Sequence, residues 1–204
     1  MTKVMIDKLK YEKELLSKGK NLIAGVDEVG RGPLAGPVVC ACVIMPLDDI
    51  IDGVDDSKKL SEKKREKLFD IIKEKAIAYS IEFVSEKEID KLNILNATKK
   101  CMANAINNLS VKPDICLVDA LDKLDTDVAL MPIVHGDALS YNIGAASILA
   151  KVTRDRYMVE LDEKYPEYGF SRHKGYGTKI HMDKLREIGP CEVHRKSFIG
   201  FLNK

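Results

Sequence analysis

The sequence predicts an α/β fold: a central mixed five-stranded sheet flanked by helices, with a small helical part at the C-terminal end. Three observations predict it. Five apolar runs of strand length, at 22–26, 38–45, 76–84, 115–118 and 130–134, are separated by stretches of helical period. The first three runs follow one another as an antiparallel meander does. The first, fourth and fifth each lead into an acid, as strands converging on one site would.

Each element has its own justification. Residues 3–18 set Ile6, Leu9, Leu15 and Leu16 among charges, an amphipathic packing helix closed by Gly19. Leu22, Ile23, Ala24 and Val26 form the first strand, which meets the adjacent carboxylates Asp27 and Glu28. The loop 30–37, GRGPLAGP, holds too much Gly and Pro to continue as strand or helix. After the second strand, a loop ends in DDSKKLS, and Ser61 is placed to cap a helix over 62–75 with Leu68, Ile71 and Ile72 inward. Ser85 and Glu88 form a capping box behind the third strand. A helix over 94–109 puts Leu95, Thr98, Met102, Ala105, Ile106 and Leu109 on one face, assigned to the core.

The fourth strand ends on Asp119, and the fifth is followed by His135, Gly136 and Asp137. A long helix over 139–165 begins with small residues suited to close packing and turns charged in its second half. There Arg154 and Asp155 read as a surface pair. The loop 166–177, PEYGFSRHKGYG, interleaves Arg172, His173 and Lys174 with Tyr168, Phe170 and Tyr176, which suits phosphate and sugar contact better than core. Thr178 caps a last regular helix ended by Gly189 and Pro190, and the tail carries Arg195, Lys196 and Phe198 as an anchor.

With 204 residues, 45% hydrophobic and 32% charged, the chain is expected to form one domain, residues 1–204, with about 140–204 as its helical C-terminal part. No apolar stretch has the length of a membrane span. The N-terminus lacks the apolar core of a signal peptide, so a cytoplasmic location is expected. Five cysteines without CxxC or Cys/His zinc spacing read as reduced structural thiols. A net charge of +1 excludes a generally basic nucleic-acid coat and leaves any such surface local. The GxxxxGK[ST] pattern of a nucleotide-binding loop is absent.

Two adjacent carboxylates at the end of a core strand need an offset. Arg31 is one candidate and a hard divalent cation is another; the bland alternative is a capped turn with a surface ion pair. Asp27, Glu28, Asp119 and Asp137 together form an oxygen-only set without a His or Cys partner, which fits Mg²⁺ or Mn²⁺ and not zinc. Two such ions about 3.5–4 Å apart serve in-line phosphodiester hydrolysis.

The segments GVDEVGRG, DSKKLS, LVDA, SILAKVTRD, HKGYGT and HRKSF resemble, in order, those of the type 2 ribonucleases H, the ribonuclease HII family. The resemblance implies a ribonuclease H-like fold and, by residue matching, Asp27, Glu28, Asp119 and Asp137 as metal-binding catalytic acids. It implies that the Gly30, Arg31 and Gly32 backbone meets a ribonucleotide 2′-hydroxyl, while Tyr176 stacks on the sugar of the next, deoxy, nucleotide. Lys58, Lys151, Arg154 and Lys174 would contact phosphates. The implied activity is cleavage of RNA in RNA/DNA hybrids and incision 5′ of single ribonucleotides in duplex DNA, by a monomer, with a replication-clamp contact left open. The alternatives are a type 3 ribonuclease H and a non-catalytic nucleic-acid-binding module that kept the fold.

Overall fold

A computed structural model describes residues 7–121 and 123–203. Helix α1 (Lys10–Ser17) precedes strands β1 (Ile23–Val29) and β2 (Val38–Ile44). Helix α2 (Glu62–Lys75) and strand β3 (Ala78–Val84) follow, then α3 (Glu86–Leu92), α4 (Ile94–Asn107), β4 (Ile115–Asp119) and β5 (Leu130–Ile133). Helices α5 (Gly136–Leu139), α6 (Tyr141–Lys164), α7 (Phe170–His173) and α8 (Lys179–Ile188) complete the series before two 3-10 turns in the tail.

The sheet order is β3-β2-β1-β4-β5. The pairs β1–β2 and β2–β3 are antiparallel, whereas β1–β4 and β4–β5 are parallel. The expected meander and the expected parallel neighbours are both present. Pro132, which has no N–H to donate, sits in the edge strand β5, where a ladder tolerates it.

Side chains alternate across the sheet. Ala24, Val26, Cys40, Cys42, Cys116 and Val118 pack with α4 in one core. Ala41 and Val43 face α6 in another, and Ile23 and Leu117 meet Ile143 of α6 in a third cluster. Helix α6 is buried all round over its first ten residues, because it lies on the sheet with other elements over its back. It approaches β1 so closely that a Cβ at Gly25 would overlap the backbone of Asn142 and Ile143.

The caps follow local chemistry. Ser61, Ser85 and Thr178 accept the N–H of Lys64, Glu88 and His181 at their helix starts. Gly19 has φ +78°, the left-handed conformation that follows a helix end. The first helix is shorter than expected, and Ile6 lies outside the described residues. Leu95, assigned to the core, is exposed, since α4 turns that side of its first turn to solvent. The five cysteines are free, four of them buried. No helix among the described residues is long and apolar enough to cross a membrane.

Candidate active site

The acids gather because β1 and β4 are parallel neighbours. Val26 pairs with Val118, and the next residues along each strand are Asp27 and Asp119, both on the face covered by α6. Asp27, Glu28 and Asp119 each offer an oxygen within 4.8 Å of the others. Asp137 stands outside that trio, in the first turn of α5. Its turn is tied to Asp119, whose Oδ1 accepts the Gly136 N–H at 2.8 Å. His135 takes a left-handed conformation to make that turn, with φ +58°.

Burial drives the Asp27 pKa well above its ordinary range, and the charges of Glu28 and Asp119 push it the same way. Glu28 is also raised by burial; Arg31, with NH1 at 3.5 Å from Glu28 Oε1, opposes the shift and Asp119 adds to it. Asp137 is raised by burial, then by Asp56 and Asp119, with Lys58 opposing. Arg31 therefore offsets only part of the accumulated charge. Oxygen-only donors that repel one another in this way fit a hard divalent cation, which reverses the sign of their interaction.

Lys58 places its Nζ 3.8 Å from Asp137 Oδ2. Burial would lower its pKa, but Asp137, Asp27, Asp56 and Glu28 outweigh that and raise it. It thus stays charged beside the acids. Asp56 fixes the segment by accepting the Lys58 N–H at 2.9 Å. Ser57 Oγ lies 2.9 Å from Ser147 Oγ of α6, and Ser147 works against the upward shift at Asp27. Sequence reasoning missed Ser147; its only signal was its place among the small residues of α6.

The loop carrying Gly30, Arg31 and Gly32 is held from inside by two arginines. Arg195 donates to the carbonyls of Gly30 at 2.6 Å, Arg31 at 3.1 Å and Gly36 at 2.9 and 2.7 Å. Arg154 donates to Pro37 at 3.0 Å, Ala35 at 3.2 Å and Lys174 at 3.0 Å. Both side chains are fully buried. Burial lowers Arg154 to about 10 and Arg195, beside Arg154, to about 9, so both remain cationic near neutral pH. Gly30 has φ +95°, and a side chain there would run into the Arg154 guanidinium.

The expectation that Arg154 meets phosphate is therefore corrected: its donors are spent on main-chain carbonyls away from solvent. Nor does it pair on the surface with Asp155, which takes Lys151 Nζ at 2.7 Å. Lys174 Nζ donates to Ser171 O at 2.5 Å. The aromatic-basic loop also differs from its reading. Tyr168, Phe170 and His173 are core, and only Tyr176 among its aromatic residues is exposed, at 42%. Tyr176 lies beside Gly32, its Cε1 3.7 Å from where a Cβ on that glycine would be. The two segments are joined by Leu34 N–H donating to Gly175 O at 2.8 Å.

A mixed sheet whose neighbouring parallel strands deliver carboxylates to one oxygen-only cluster defines a metal-dependent hydrolase of phosphodiester bonds. Comparisons narrow that class. A sequence model of the family described as Ribonuclease HII matches residues 24–201. The chain is 57% identical to a ribonuclease HII of Acetivibrio thermocellus over 188 residues, covering 92% of this chain and 73% of that one. The structure is similar to ribonuclease H2 from Pyrococcus horikoshii, with TM-score 0.73, 32% identity, and 87% and 93% of the two chains covered. It is also similar to the Archaeoglobus fulgidus ribonuclease HII solved in complex with PCNA, with TM-score 0.75, 29% identity, and 86% and 94% covered. This chain belongs to the ribonuclease HII family, a family of ribonucleases H, and not to the type 3 alternative.

Proposed function

We propose that the enzyme cuts the RNA strand of RNA/DNA hybrids and incises duplex DNA on the 5′ side of single embedded ribonucleotides, leaving 3′-hydroxyl and 5′-phosphate ends. Asp27, Glu28, Asp119 and Asp137 would hold two Mg²⁺ or Mn²⁺ ions, which when bound activate water and stabilise the leaving oxygen. The observation that carries this reading is the acidic trio, with oxygens within 4.8 Å, at the end of the strand that runs on into the glycine loop that Tyr176 abuts. A mere binder gains nothing from such acids facing a polyanion.

In this reading the chain's own groups do the sorting. The Glu28 N–H, donating to Asp27 Oδ1 at 2.8 Å, orients the Asp27 carboxylate. The arginine-braced backbone of Gly30, Arg31 and Gly32 meets the ribose 2′-hydroxyl, and the exposed Tyr176 ring stacks on the following deoxyribose, where a 2′-hydroxyl would not fit. Lys58 meets a phosphate; Lys151 and Lys174 join it only by leaving Asp155 and Ser171. Residues from about 140 to 204 contribute to this substrate face within one domain, and the enzyme acts as a cytoplasmic monomer. Among the described residues of the tail, Phe198 packs on the first core, and Ile199, Phe201 and Leu202 pack on the C-terminal cluster.

The test is a duplex with one ribonucleotide, incubated with Mg²⁺ or Mn²⁺. Wild type should nick it on the 5′ side of the ribonucleotide, and Asp119→Asn should lose more than about a hundredfold in rate while binding is retained. Binding without incision by the wild type would overturn the reading in favour of the non-catalytic module.

A further inference from the structure

Behind Tyr176 lies a cluster that the chemistry above does not use. His173, His181 and His194, three of the four histidines, surround Phe170 and are buried. The His173 and His181 rings stack with centroids 4.5 Å apart. A buried imidazole needs partners for both nitrogens, and those partners decide which nitrogen carries the proton.

The Cys191 N–H donates to His194 Nδ1 at 3.0 Å, so the His194 proton sits on Nε2. That nitrogen is 3.0 Å from His181 Nε2, which accepts, leaving the His181 proton on Nδ1. His181 Nδ1–H then donates to the Tyr176 carbonyl at 2.9 Å. The three bonds run one way, from the main chain of Cys191 to that of Tyr176. His173 holds the same turn from its other side. The Gly175 N–H donates to His173 Nδ1 at 3.2 Å, so His173 Nε2–H donates to Tyr168 O at 2.9 Å.

We propose that His181 and His194 are positioning residues for reading the ribose-to-deoxyribose junction: their fixed tautomers hold the Tyr176 main chain against the glycine loop, so that its ring keeps one orientation toward substrate. The inference rests on the proposed role of Tyr176. That ring is half exposed and flanked by Gly175 and Gly177, so its direction is inherited from its backbone. Without the relay the turn would keep only its main-chain bonds, Tyr176 N–H to His173 O at 2.9 Å and Thr178 N–H to Tyr176 O at 2.8 Å, and binding would have to order the rest at an entropic cost. Burial lowers the pKa of both His181 and His194, the latter to about 4, which keeps the pair neutral at pH 7.

Nitrogen NMR of the imidazoles in the wild-type protein reads the tautomers without reference to activity. Protons are expected on His181 Nδ1 and His194 Nε2; the opposite tautomer on either ring, or a charged ring at pH 7, overturns the relay. A second measurement compares incision at a single ribonucleotide with cleavage of a uniform hybrid. In His181→Phe, which keeps a stacked ring but no donor, the ratio should fall about fivefold, the worth of one hydrogen bond. His181→Asn, whose amide can replace the Nδ1 donor, should bring it back to within about twofold of wild type. An unchanged ratio in His181→Phe with a fallen ratio in Tyr176→Ala sinks the relay and spares the Tyr176 reading, whereas an unchanged ratio in Tyr176→Ala sinks that reading itself. Should His181→Phe fail to fold, the tautomers and the same ratio in His194→Phe decide.

Discussion

Arg195 shows how a charge can be structural. Its guanidinium replaces water for three main-chain carbonyls of the loop 30–37. Removing it leaves those carbonyls buried and unpaired, so Arg195→Leu should destabilise by about 3 kcal/mol in urea unfolding. Asp27 behaves in the opposite sense. Its carboxylate is buried beside two others, so Asp27→Asn should raise metal-free stability by about 1 kcal/mol at pH 7 while abolishing both cleavage and the stabilisation that Mg²⁺ gives the wild type. His194 adds a pH dependence of calculable sign. Its folded pKa of about 4 lies below its unfolded value near 6.5, so as pH falls through that window the unfolded chain takes up a proton that the folded one refuses. Stability should drop by up to about 3 kcal/mol between pH 7 and 4, and unfolding curves of His194→Phe should lack this component.

Among the elements, the contact between β1 and α6 decides where the acids stand. Gly25 lets the helix backbone lie on the strand that carries Asp27. Gly25→Ala should therefore push the two apart. A loss of about 2 kcal/mol or more in thermal unfolding is expected, with Asp27 displaced and the rate reduced. An unchanged melting temperature would mean that helix and strand do not meet as described. The N-terminal helix takes part in the same assembly: Glu12, fully buried, accepts from Ser140 Oγ at 2.6 Å and Asn142 N–H at 3.2 Å, fixing the start of α6. It reads as an ordinary charged position in the sequence, because nothing in its neighbours along the chain says that a helix start more than a hundred residues away will need an acceptor.

For the molecule as a whole, the chain by itself determined the elements. Apolar runs of strand length, helical periods and local caps at Ser61, Ser85 and Thr178 depend on near neighbours, and they specify β1 to β5 and the longer helices to within a few residues. It also pointed to acids at the strand ends, since a carboxylate ending an apolar run is costly wherever the run is placed, and the fold brings Asp27, Glu28 and Asp119 together. Which side chains of mixed character turn inward was left to the tertiary structure. Arg154, His173, His181, His194 and Arg195 are buried because distant segments bring carbonyls and ring nitrogens within hydrogen-bond reach. Tyr168 and Phe170 became core while Tyr176 stayed outside for the same reason: burial of a polar or amphipathic group is settled by partners that only the folded chain assembles.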